Sequence, residues 1–302
     1  MNDTLSRRRF LWWMALVGAA GVIQLPTAAQ SDDEATAPLP VVVPPCLMLH
    51  SRESREGFID GLMKGIAARD WNTITYAEYF RRARAGESVD GCVIISIDDI
   101  TGAADNLSFD YFARMKTWIE RAGGTAVFGV ITAPDKAQDP ARWDAMAQWV
   151  RDGFELATHT ANHFPFNEAD GRQRRDLSQE VFDREIAQSA QFIQDRLAER
   201  DVLYQVTTLI TPFGSGWHRE TAKVFEAVHS ACVTGGIRMV AGIVDGRAPV
   251  PAEAFDAPES VIYMGRTPPG YLASASGGQT LDTALTLAYL EQWMTQNARY
   301  AV

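Results

Sequence analysis

DYFARMKTWIERAGGTAVFGVI, residues 110–131, holds two periodicities on either side of a glycine pair. Before the pair, Phe112, Met115, Trp118 and Ile119 recur near helical spacing and define one apolar face. Gly123-Gly124 then terminates the helix. After the pair, TAVFGVI (125–131) is an apolar run of strand length. A helix that ends in a glycine turn and passes straight into an apolar strand is the repeating unit of an α/β fold.

The alternation continues on both sides. CLML (46–49), VIISI (93–97), FELAT (154–158), VTTLI (206–210), ACVT (231–234) and VIYM (261–264) read as further strands. Stretches 54–68, 75–84, 108–122, 141–152, 178–199, 219–229 and 281–297 read as amphipathic helices. The expectation is an α/β fold: a distorted (β/α) barrel of about seven parallel strands, closed or incomplete, with a doubly wound sheet as the alternative.

The 302 residues suit one large domain or two ordinary ones, and 46% hydrophobic with 22% charged residues is globular composition. The net charge of −10 argues against nucleic acid or an anionic membrane surface as partner. Cys46, Cys92 and Cys232 are too few for a disulfide framework, and two of them sit in apolar runs; they read as small buried hydrophobes, with one bridge open in an oxidising compartment. No G-x-S-x-G occurs, so a serine hydrolase has no support.

Residues 1–29 read as an address rather than as fold. Ser6-Arg7-Arg8-Arg9-Phe10-Leu11 leads into an apolar run ending at Leu25, shorter than the roughly 20 residues a membrane span needs. A basic head, a short apolar core and small residues near Ala29 make a secretory signal, and Arg7-Arg8 before Phe-Leu resembles a twin-arginine signal. The expected location is periplasmic or secreted, with the twin-arginine export machinery as a partner; an uncleaved signal would anchor the chain to the inner membrane. Residues 30–45, rich in Asp, Ala and Pro, read as a linker before a domain spanning 46–302.

Polar residues then gather where strands end. CLML runs into His50, VIISI into Asp98-Asp99, FELAT into His159 with His163 four later, and VTTLI into Thr211-Pro212-Phe213-Gly214. In parallel α/β folds the carboxyl ends of strands share one face, where active sites form. Two adjacent carboxylates at a strand end need a compensating cation. If the strand stays extended, they point to opposite sides of it. His159 and His163 have the spacing that helical zinc sites use. Two histidines and an aspartate bind a borderline metal and leave a position for water.

SIDD, HTANH and TPFG, in that order, resemble the T-F-D-D, H-[ST]-x-x-H and R-x-P-[FY]-G motifs of the NodB-homology polysaccharide deacetylases, carbohydrate esterase family four. The resemblance covers roughly residues 46–235. It implies that Asp98 is the general base and that Asp99, His159 and His163 hold a divalent metal; Zn²⁺ suits the set best, and Co²⁺ or Ni²⁺ also fit. It implies that the Phe213 N–H helps form an oxyanion hole. The substrate would be an N-acetylated polysaccharide or oligosaccharide, with Pro212 and Trp217 as substrate contacts.

Two departures matter. The motif-three arginine falls at Ile210, which cannot orient a carboxylate; Arg266 or Arg238 is a candidate replacement. The late L-x-H motif that supplies the general acid is absent, yet CLMLH resembles it, as in the circularly permuted branch that de-N-acetylates poly-N-acetylglucosamine. His50 is therefore the candidate acid. A non-catalytic carbohydrate-binding or polysaccharide-assembly protein on a degenerate deacetylase fold is the alternative, and a small C–N amide is a third. N- and O-deacetylation both remain open. His229 reads as structural, inside a helix, and 265–280 as a connection or a substrate loop.

Overall fold

A computed structural model of the protein describes residues 41–50, 55–101, 109–133, 139–168, 171–218, 223–243, 250–270, 272 and 281–297. The expected export signal, residues 30–40 of the expected linker, and 271 and 273–280 of the expected 265–280 loop lie outside the described residues.

Eight strands pair in parallel: β1 (Cys46–Leu49), β2 (Asn72–Ile74), β3 (Cys92–Thr101), β4 (Val127–Ile131), β5 (Glu155–Thr158), β6 (Thr208–Ile210), β7 (Met239–Gly242) and β8 (Ile262–Gly265). Seven follow the path β1-β3-β4-β5-β6-β7-β8, and the short β2 adds to β3. The ends of the path meet at a parallel bridge, Leu47↔Thr267. There Thr267 N–H donates to Cys46 O at 2.8 Å, and Met48 N–H to Thr267 O at 3.1 Å. The fold is a nearly closed barrel of seven parallel strands, not a doubly wound sheet.

Helices alternate with the strands: α1 (Glu56–Ala67), α2 (Tyr76–Arg84), α3 (Phe109–Arg121), α4 (Pro140–Arg151), α5 (Gln179–Asp183), α6 (Ser189–Ala198), α7 (Glu226–Thr234) and α8 (Thr283–Asn297). A π-helical turn, Arg184–Gln188, joins α5 to α6. Helix α4 starts where Asp139 accepts the Ala141 N–H and Pro140 presets the first turn. Strand alternation divides the core. Val93, Ile95 and Ile97 of β3 pack with Phe112, Met115 and Ile119 of α3. Cys92 and Ile94 turn the other way and meet Val127, Ala157, Ile210, Met239 and Met264 inside the barrel.

One seam is unusual. Strands β5 and β6 share a single register pair, Thr158↔Leu209. Side chains supply the rest: Tyr204 Oη accepts the Leu156 N–H and donates to Leu156 O, both at 2.9 Å. Thr208 Oγ1 donates to Glu155 Oε1 at 2.6 Å.

Residues 231–234, expected as a strand, are the end of α7. Ala227, Val228, Ala231 and Cys232 are buried on one helical face, and Gly235-Gly236 follows. Helix spacing places two apolar residues side by side there, which imitates a strand run. The strand that completes the barrel is β7, a four-residue run preceded by the basic Arg238. The helix expected over 219–229 begins only at Glu226 among the described residues. All three cysteines are buried and unbridged, and burial pushes the Cys46 thiol up to about 12. Among the described residues no helix is long and apolar enough to cross a membrane.

Candidate active site

Strand β3 carries the first two groups. Its pairing with β4 slips between Ile97 and Ile100, and Asp99 has φ 71°. That is a bulge: it inserts one residue, so Ile100 takes the helix-facing place that a regular strand gives to residue 99. Asp98 stays on the barrel side with Ser96. Asp99 is swung to the rim instead of pointing outward. The extended geometry expected for Asp98-Asp99 is thus replaced by a left-handed residue, a conformation that costs of order 1–3 kcal/mol outside glycine.

Asp99 meets three histidines. Its Oδ1 lies 3.3 Å from His159 Nε2 and 3.2 Å from His163 Nε2, and its Oδ2 lies 3.8 Å from His50 Nε2. Burial would raise the Asp99 pKa, but the His159 and His163 contacts and the nearby His50 override it and hold the carboxyl well below the usual range.

His159 and His163 are not on a helix, contrary to the spacing argument. They bracket a turn in which Thr160 (φ 67°) and His163 (φ 55°) are left-handed. Thr160 Oγ1 accepts the His163 N–H at 3.0 Å, and Thr158 Oγ1 accepts the Thr160 N–H at 3.2 Å. His159 is buried, and its Nδ1 lies 2.8 Å from Ile210 O. A carbonyl only accepts, so Nδ1 carries a proton, and Nε2 is the ring atom turned toward Asp99. Gly129 makes room: a Cβ there would stand 3.3 Å from His159 Cβ and 3.2 Å from Ile210 Cδ1.

The ligand atoms of Asp99, His159 and His163 all lie within 4.8 Å of one another. Two imidazole nitrogens and a carboxylate oxygen converge, and one imidazole is oriented by a backbone carbonyl. This donor set fits a divalent transition metal.

Asp98 is buried and pairs with Arg266, whose Nη1 lies 2.6 Å from Asp98 Oδ1 and 2.9 Å from Ser96 Oγ. Arg266 Nε donates to Gly242 O at 3.2 Å. Burial opposes the Arg266 charge, and the Asp98 carboxylate more than compensates, leaving its pKa above the ordinary value. Arg266 follows β8 and reaches Asp98 across the barrel. Arg238 does not. Its guanidinium donates to Ser260 O and Ala257 O and lies over Phe80.

The loop after β6 reverses two expectations. Trp217 is only 2% exposed, stacks on Tyr263 and donates to Gly214 O at 2.5 Å. It pins the loop and offers no face to a sugar. Pro212 is buried as well. Phe213 is the exposed residue, at 65%, with φ 54° and its ring centroid 4.9 Å from that of His163. His218 packs edge-on against Phe225, and His229 is half-buried in α7.

Sequence reasoning missed Glu185 and Asn162. Asn162 donates from its backbone N–H to Glu185 Oε2 at 2.8 Å and from its side chain to Oε1 at 2.6 Å. Glu185 looks like any polar residue on an amphipathic helix. Only the π-turn, which has no composition signal, turns it inward.

A buried carboxylate–guanidinium pair thus lies beside an imidazole–carboxylate cluster at the carboxyl ends of barrel strands. Residues 85–231 match the family model described as Polysaccharide deacetylase. That segment is thus similar to a polysaccharide deacetylase domain. Asp98, Asp99, His159, His163 and Phe213 lie inside the matched segment; His50 and Arg266 lie outside it. No curated protein matches the sequence.

Among solved structures, the Streptococcus pyogenes deacetylase PplD in complex with acetate superposes with a TM-score of 0.52 at 14% identity, covering 76% of this chain and 92% of that one. A family 4 acetyl xylan esterase from Clostridium thermocellum, in complex with a cobalt ion, gives a TM-score of 0.35 at 12% identity, covering 66% and 83%. The first likeness concerns the fold, and the second adds nothing to it.

Proposed function

We propose that the chain is a metal-dependent deacetylase that removes acetyl groups from N-acetylated sugars of an envelope or exported polysaccharide. One observation carries this reading: Asp99, His159 and His163 converge beside a buried Asp98–Arg266 pair on the rim of the barrel. Asp99, His159 and His163 hold the divalent metal, Zn²⁺ by preference for such a donor set, with Co²⁺ or Ni²⁺ as alternatives. When bound there, such a cation would supply Lewis-acid polarisation of an acyl oxygen and a lowered water pKa.

The protein's own groups do the rest. Asp98, oriented by Arg266, takes a proton from the attacking water. The Phe213 N–H donates to the oxyanion that develops on the acyl carbon. His50, protonated, gives its proton to the leaving amine. The C–N bond breaks, and acetate and a free amino sugar leave. Phe213, rather than Trp217, presents an aromatic ring to a sugar beside the site.

His50 precedes the Asp-Asp strand, as in the circularly permuted branch of the family. The Arg7-Arg8 signal, the 30–45 linker and the 46–302 catalytic domain fit export to the periplasm or beyond. The non-catalytic alternative drew on Ile210 in place of an arginine; the Arg266–Asp98 pair at 2.6 Å supports the catalytic reading instead.

The test is acetate release from N-acetylglucosamine oligomers by the Zn²⁺-loaded protein beside Asp98→Asn. The expected result is release by the parent and a loss on the order of 10²–10⁴ in the variant. Equal release by both would remove Asp98 as the base. Silence from both, with Zn²⁺ bound, would favour the binding reading.

A further inference from the structure

The loop that carries His159 and His163 contains two left-handed residues that are not glycine, Thr160 and His163. Such residues persist only where the surroundings over-determine them. Beside the Thr158 and Thr160 hydroxyls and the Thr132 N–H that donates to Thr160 O at 3.2 Å, the surroundings are the π-turn Arg184–Gln188 between α5 and α6. Glu185, fully buried, accepts two hydrogen bonds from Asn162, one per carboxylate oxygen. Its main-chain carbonyl accepts the Ala161 N–H at 3.1 Å. Ser189, directly after the turn, has its Oγ 2.6 Å from Thr158 Oγ1 and 2.7 Å from Thr132 Oγ1. Ala161 and Asn162, two of the three residues between the histidines, are therefore tied to Glu185. Thr158, just before His159, is tied to Ser189.

A buried carboxylate is costly, and one that persists has a specific partner. Arg184 lies 3.8 Å from the Glu185 carboxylate, with a side chain 53% exposed. That is weak compensation. The Asn162 contact is the strong one. Two donors from one residue, the backbone and the side-chain amide, require two acceptor oxygens, which a glutamine at 185 would not offer.

We propose that Glu185 is a positioning residue that sets the metal affinity of the Asp99–His159–His163 site, by fixing the turn that returns His163 to Asp99. The proposal rests on the metal reading given above. Partners of this kind typically change metal affinity roughly 10–100-fold when removed.

The experiment measures Zn²⁺ affinity of the full chain by competition with a chromogenic chelator, together with thermal unfolding of the metal-free protein. The variants are Glu185→Gln, Asn162→Ala and the exchanged pair Glu185→Gln/Asn162→Asp. In the pair, the carboxamide oxygen introduced at 185 accepts the residue-162 N–H, while its amide donates to the carboxylate introduced at 162. Both hydrogen bonds return with one polarity reversed.

Glu185→Gln should bind Zn²⁺ roughly 10–100-fold more weakly, Asn162→Ala should fall in the same direction, and the exchanged pair should recover most of the loss. A merely structural role would lower the unfolding temperature and leave affinity unchanged. Parental affinity in Glu185→Gln, or no recovery in a folded exchanged pair, would overturn the proposal. If Glu185→Gln does not fold, parental affinity in Asn162→Ala overturns it equally. A parent that binds no Zn²⁺ would instead overturn the metal reading, and this proposal with it.

Discussion

Arg266→Met is the substitution with the largest expected consequence. Methionine keeps much of the length and removes the charge. Asp98 is left buried with its 2.6 Å partner gone, and Ser96 Oγ loses the Arg266 donor at 2.9 Å. Gly242 O is spared, because the Arg266 backbone N–H still donates to it at 2.9 Å. The main loss is thus an uncompensated carboxylate, which costs about 3–5 kcal/mol when one member of a buried pair is removed. For a domain of this size that lowers the unfolding temperature by roughly 6–20 °C. Thermal unfolding of the metal-free protein, followed by circular dichroism, measures it. Asp98→Asn/Arg266→Met should recover more than half of the loss, since the stranded charge is then absent. An Arg266→Met protein as stable as the parent, or a double variant no more stable than the single one, would refute this account of the pair.

Three further outcomes are expected. Burial raises the Glu155 pKa above its ordinary 4.5, although Thr208 Oγ1 and the Ala77 N–H both donate to the carboxylate. The folded state therefore keeps a proton that the unfolded chain has released, and the Glu155 contribution is lost as pH rises through the folded value. Glu155→Gln keeps the Ala77 N–H on its one carbonyl oxygen, turns its amide to donate to Thr208 Oγ1, and does not titrate, so its unfolding temperature relative to the parent should climb as pH rises above the ordinary 4.5; a pH-independent difference would contradict this. Gly129→Ala adds a methyl 3.3 Å from His159 Cβ and should weaken Zn²⁺ binding with little loss of stability, as read by chelator competition. Phe213→Ala should leave the unfolding temperature unchanged and raise KM for oligosaccharides, whereas Trp217→Ala should cost about 3–5 kcal/mol of stability. The reverse pattern would return Trp217 to the sugar.

The strand ends were legible because each buried run stops at a residue that cannot be buried alone: His50, Asp98, His159. Apolar continuity marks a parallel strand, and its interruption marks the rim. What escaped was conformation within those interruptions. H-x-x-x-H reads identically on a helix and in a turn; here the Thr158 and Thr160 hydroxyls, with tertiary contacts from Glu185 and Ser189, hold the turn. Nothing in SIDD announces the slip that turns Asp99 to the rim. Trp217 turned inward because its indole N–H is satisfied by a nearby carbonyl, Gly214 O, a partner that the sequence does not announce. Arg266 was visible only as one of two arginines near late strand ends; the geometry of β8 selected it over Arg238.

The sparse β5–β6 seam gives His159 a second duty. Its Nδ1 contact with Ile210 O is one of the few links between two staves that share a single main-chain pair. The imidazole is at once a rung of the wall and an arm of the proposed cation site. Replacing it to alter metal preference would slacken the wall itself, and filling the site would tighten it. Amide exchange at Leu156, whose N–H and carbonyl are both satisfied by the Tyr204 hydroxyl, would report that tightening from the opposite side of the seam. Engineers seeking a different metal would do better to vary His163 or Asp99, which close no gap in the barrel.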